Sequence, residues 1–144
     1  MSSPAPADAG DTLSLPEIAA ITAAIAEGDR PAEAVLAERG LTLARWRDIS
    51  TRVAYLLAED EAAADAYAEA YCRAQDALKP APDLTPEQWA ELGAEVAAEG
   101  AAALARRSLR QADWMRLSRR WAATLARDRA LAARYEKRRF ALEK

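Results

Sequence analysis

Apolar side chains recur along this chain at helical intervals, and nowhere do they alternate as a half-buried strand would require. The clearest run is Trp46, Ile49, Val53 and Leu57, spaced by three, four and four; Trp114, Leu117, Trp121 and Leu125 repeat it. Ile18, Ile21 and Ile25 share their spacing with Trp89, Leu92 and Val96. Each set falls on one face of a helix. Ser14-Leu15-Pro16-Glu17 and Thr85-Pro86-Glu87-Gln88 place proline in a first turn, where its missing N–H costs nothing, and the second also reads as a capping box. A short second helix, opened by Asp29-Arg30-Pro31 and closed by Gly40, has a counterpart running to about Ser108. Asp60 and Asp128 stand as N-caps between a third and a fourth helix, so each pair should form an antiparallel hairpin with a one- or two-residue corner. The fourth helices carry Tyr67 and Tyr71 in one case, and Leu131, Tyr135 and Leu142 in the other.

These elements come in two sets. Comparing residues 36–73 with 104–141, a shift of 68, gives 15 identities in 38 positions, of which six are alanine pairs. Chance in so alanine-rich a chain would give roughly four or five. The expected fold is all-α: two pseudo-repeats of about four helices each, whose hairpins pack as a small helical repeat or bundle. Residues 1–12, rich in Ala, Pro and Asp, predict a disordered tail. Repeat one should span 13–78 and repeat two 84–144. The prolines of Lys79-Pro80-Ala81-Pro82-Asp83 should hold 79–83 as a linker. The expected core is Trp46, Ile49, Val53, Leu57 and Tyr67 in the first repeat, with Trp114, Leu117, Trp121, Leu125 and Tyr135 in the second.

Composition thins that core. Of 144 residues 51% are hydrophobic, but 39 are alanine, which favours helix and buries little. Histidine is absent, which removes the commonest general base and metal ligand together. Cys72 is the lone thiol, so neither an internal disulfide nor a zinc site of the usual kind can form. No patterned pair of carboxylates suggests acid–base chemistry. The expectation is therefore no catalytic residue, no metal and no cofactor. No segment approaches the roughly 20 apolar residues of a membrane span, and the opening residues lack the regions of a signal peptide, so a cytoplasmic protein without a membrane partner is expected.

Charge divides the chain. Residues 1–80 hold 7 basic and 14 acidic side chains, whereas residues 101–144 hold 13 and 4. Arg106, Arg107 and Arg110 precede the third helix of repeat two, Arg116, Arg120 and Arg127 line it, and Arg138 and Arg139 lie on the last helix. Three readings stay open. These arginines could solvate exposed faces and pair with acids within their helices. The acidic repeat could dock on the basic one, within a chain or between two copies in a homo-oligomer. Or the face could meet an anionic partner, an acidic or mixed protein surface or DNA.

Two resemblances bear on function. Val35-Leu36-Ala37-Glu38-Arg39-Gly40-Leu41-Thr42-Leu43-Ala44-Arg45-Trp46 resembles a helix-turn-helix with Gly40 as turn glycine and Thr42 as cap. The onward run Leu56-Leu57-Ala58-Glu59-Asp60, with Tyr67 beyond, is similar to that region of phage terminase small subunits. It implies DNA binding, although phosphate contacts supply most such affinity and this repeat is acidic. The unit Leu84-Thr85-Pro86-Glu87-Gln88-Trp89, Trp114, Trp121, Leu125-Ala126-Arg127-Asp128 and Arg134-Tyr135-Glu136 resembles an alanine-rich tandem helical repeat of proteobacterial proteins associated with type VI secretion. That resemblance implies a small bacterial accessory, adaptor or chaperone-like protein without a catalytic motif. The expectation is a non-enzymatic protein-interaction module, with DNA binding as its alternative. The Arg-rich face of repeat two, or the groove between repeats, should carry the contact.

Overall fold

The computed structural model describes residues 13–144, so the expected tail over 1–12 lies outside the described residues. Eight helices follow in order: α1 (Leu15–Glu27), α2 (Ala32–Ala37), α3 (Leu43–Glu59), α4 (Glu61–Leu78), α5 (Pro86–Glu99), α6 (Ala101–Arg106), α7 (Gln111–Arg127) and α8 (Arg129–Leu142). The described residues contain no strand, and the protein is all-α. The chain divides into two compact units, one ending at Leu78 and the other running Lys79–Lys144.

Local chemistry fixes where these helices begin. Ser14 caps α1 by accepting from the Glu17 N–H at 3.2 Å, while the Glu17 carboxylate accepts from the Ser14 N–H at 2.9 Å. Thr85 and Gln88 make the same reciprocal pair at the head of α5, at 3.1 and 2.9 Å. Two of the four orphan N–H groups of each helix are satisfied in this way. Thr42 caps α3 through the Arg45 N–H. Asp60 and Asp128 are single-residue corners in extended conformation, and each carboxylate accepts from the N–H three residues on, at 3.1 Å. The short helix α2 begins one residue later than its prolyl opening suggests, with Pro31 itself at the cap position. Its last turn runs on to Gly40, whose φ of 70° is left-handed. Sixty-eight residues on, Ser108 adopts a φ of 56° between α6 and α7.

Each unit closes its own core. In the first, Ile18 and Ile21 of α1, Val35 and Leu36 of α2, Leu41, and Trp46 and Ile49 of α3 are buried together. Val53 and Tyr67 are only partly buried against that cluster, and Leu57 is half-exposed. In the second unit Leu92, Leu104, Leu117 and Trp121 form the buried centre. Trp89, Trp114 and Leu125 pack on it while keeping part of their surface in solvent. Tyr135 is likewise half-buried. Apolar surface is thus exposed at Tyr55 and Leu56, near the Asp60 corner, and at Phe140, near the C-terminal end of α8.

Candidate functional site: an indole-floored groove on the second unit

The four glutamates of α5 stand at intervals of four: Glu87, Glu91, Glu95 and Glu99. Like charges at that spacing repel along one side of a helix. Here each faces an arginine from another part of the unit. Arg134 of α8 reaches Glu87 at 2.6 Å and Arg138 reaches Glu91 at 2.9 Å. From the other flank, Arg107 meets Glu95 at 2.7 Å and Arg106 meets Glu99 at 2.6 Å. Arg139 is held within α8, between Glu136 at 2.8 Å and Glu143 at 2.7 Å. The Arg134 guanidinium, with the N-terminal N–H of Glu87 itself, holds the Glu87 carboxyl down at about 2. Hydrogen bonds from Arg107 and Arg106 likewise lower the carboxyls of Glu95 and Glu99.

This pairing changes the meaning of the basic surplus. Of the arginines expected to meet a partner, Arg106, Arg107, Arg138 and Arg139 are already engaged by carboxylates of their own unit. Arg120 lies near Asp83 at 3.4 Å and the Ala81 carbonyl at 3.5 Å. Arg110 and Arg127 are exposed. Arg116 departs furthest from the expected face: its side chain is fully buried, 3.5 Å from Asp113. It precedes Leu117, the most buried apolar residue of α7, and so turns inward with that side of the helix. It presents no charge to a partner. Pairing within single helices was one of the three open readings; Arg106, Arg107, Arg134 and Arg138 instead pair across to α5.

An apolar hollow opens beside this ladder. Trp89 lies between two other indoles, with ring centroids 5.1 Å from Trp114 at a tilt of 36° and 6.3 Å from Trp121 in a near-parallel stack of 9°. Offset and tilted stacks of this kind are favoured by the ring quadrupoles. Trp121 is buried, but Trp89 and Trp114 keep an exposed side that lines a cavity of about 430 Å3. Ala90, Gly93 and Ala94 of α5 form its low wall, and Tyr135, Arg139, Leu142 and Glu143 of α8 form the other. Gly93 leaves open space where a Cβ would stand. A second hollow of about 460 Å3 shares Ala94 and Leu142 and continues past Glu91, Glu95 and Glu99. The first hollow is the groove between α5 and α8, the second adjoins it at those two residues, and Phe140 of α8 is exposed.

Sequence reading assigned Trp114 and Tyr135 to the core, yet both line this groove. It did not pick out Gly93, and it quoted Glu87 and Arg134 only within a cap and a resemblance, although the four-residue spacing of the α5 glutamates was there to be read. Among the described residues no cluster of His, Cys, Asp and Glu is placed to hold a metal ion. No helix among them is long and apolar enough to cross a membrane. No protein-family model, curated protein or solved structure matches the chain.

Proposed function

We propose that this chain is a non-enzymatic protein-interaction module, a bacterial accessory or adaptor protein, whose second unit receives an apolar side chain of a partner polypeptide between α5 and α8. The observation that carries this reading is the exposed flank of the Trp89–Trp114 pair, open onto a cavity of about 430 Å3. Side-chain-sized, aromatic-walled hollows with a few charged groups at the rim suit an anchoring residue of a helix or extended peptide. The rim here is mixed: Glu143 and Arg139 border an apolar floor. A partner segment with one large apolar anchor and flanking charges of both signs meets that chemistry. The arginines support the same reading, because most of those expected to face an anionic partner already satisfy carboxylates of their own unit.

The experiment is selection of a displayed random peptide library on the full chain, followed by affinity measurement with Gly93→Leu. Because a Cβ at Gly93 would meet no atom within 4 Å and Gly93 lines the cavity, a leucine there extends into it. Selected peptides should share an aromatic or large aliphatic anchor and should lose binding to Gly93→Leu. Peptides that bind the variant unchanged would refute the site.

DNA binding is a second reading, favoured by one feature: the α2–α3 corner has a left-handed Gly40, a buried Leu41 and a Thr42 cap. Against it, Asp48 on the exposed side of α3 engages both Arg45 and Arg52. A duplex-DNA mobility shift with a steep salt dependence would favour this second reading.

A further inference from the structure

The two aspartate corners carry opposite charges on one backbone. Asp60 and Asp128 are extended at nearly the same dihedrals, φ −127° with ψ 102° and φ −118° with ψ 102°. Each carboxylate is turned into its own helix start, accepting from the N–H three residues on at 3.1 Å. Glu59 and Glu61 flank the first aspartate, and Arg127 and Arg129 flank the second. All four flanking residues are exposed, and none is joined by a hydrogen bond or ion pair to another described residue. That sets them apart from the α5 ladder, where each arginine already meets a carboxylate. Two of the four also stand where their own helices disfavour them. Glu59 ends α3, at the negative pole of that helix, and Arg129 opens α8, at its positive pole. Helix stability does not account for those charges.

The surfaces beside the corners differ in bulk as well as in sign. Tyr55 and Leu56 are 70% and 42% exposed on the acidic side. Ala123 and Thr124 hold the matching places on the basic side, 68 positions on, and Ala122, Ala126 and Ala130 are exposed around them. One corner projects large side chains and the other is low. We infer that the α3–α4 corner of one copy docks on the α7–α8 corner of a second copy of this chain. Because the corners share a backbone, facing them about a local two-fold axis sets Glu59 against Arg129 and Glu61 against Arg127 together. Tyr55 and Leu56 then cover the exposed alanines, and Tyr55 offers an aromatic face to a guanidinium. Each copy brings one corner of each kind, so the contact is heterologous and adds copies head to tail. It uses no residue of the proposed α5–α8 groove.

The test is sedimentation velocity of the full chain over a range of concentrations. At roughly 0.01 M salt the average sedimentation coefficient should rise with concentration; at about 1 M salt, where the Debye length is about 3 Å, the rise should vanish. Glu59→Gln with Glu61→Gln empties one corner of its flanking charge, and Arg127→Gln with Arg129→Gln empties the other. Each double variant should keep its helical circular dichroism and lose the association. An equal mixture of the two should form pairs and nothing larger, because each chain then keeps only one charged corner, of opposite kinds. Tyr55→Ala should weaken the association by roughly fivefold or more, and Gly93→Leu should leave it untouched. A coefficient independent of concentration at low salt would overturn the contact, as would association that survives either double variant or a mixture that stays monomeric. Full-strength association of Tyr55→Ala would overturn its apolar half.

Discussion

Single residues decide the corners of this protein. Gly40 and Ser108 occupy matching turns with φ of 70° and 56°, a region that costs a residue with a Cβ roughly 1–2 kcal/mol. Glycine offsets part of that gain through its larger entropy loss on folding. Replacing Ser108 by Gly should therefore stabilise the protein by about 0.5–1 kcal/mol, and Gly40→Ser should destabilise it by a similar amount. Urea unfolding of the two variants checks the paired signs. Turn residues of this kind are legible in a sequence where they are glycine. Ser108 was legible only through its match to Gly40, since serine alone does not announce a left-handed turn. Trp114 shows the converse: its helical interval correctly turned it toward the core, but the interval could not say that α5 and α8 would leave one flank of the ring uncovered.

At the scale of elements, α8 shows what the ion-pair ladder does. None of its residues is buried, so apolar burial alone holds it weakly. Arg134 and Arg138 tie it to Glu87 and Glu91 of α5 instead. Exposed pairs of this type are individually weak, and salt screens them. Their pH dependence has a definite sign. The Glu87 carboxyl is depressed from 4.5 to about 2 in the folded protein. Its contribution is complete above the unfolded value and is lost as pH falls from 4.5 toward 2. Glu87→Gln should flatten the fall in melting temperature across that window and leave the neutral-pH shape of the transition intact. Thermal melts by circular dichroism in acid buffers measure it. The wild-type partner of this charge was not readable beforehand, because Glu87 and Arg134 lie 47 residues apart and only the packing of α5 against α8 brings them together.

Across the whole molecule, composition and structure lead to different surfaces. The second unit carries the basic surplus, and its sequence invites a positively charged recognition face. Folding places α5, with its four carboxylates, between the arginines of α6 and those of α8, so much of that charge is met internally. The all-α class, the helix starts and the aspartate corners followed from caps, prolines and apolar intervals. The groove did not, since it depends on which sides of α5, α7 and α8 converge. Arg116 marks the same limit: one step of helix phase separates a surface arginine from a buried one.

The most direct measurement is a nitrogen–proton NMR titration of the full chain with a peptide selected on it, read at the indole and arginine side-chain signals. The account predicts that the Trp89 and Trp114 indole signals move first and saturate together, with Arg127 unmoved and Gly93→Leu abolishing the response. Shifts confined to Arg110 and Arg127, with both indoles silent, would contradict it.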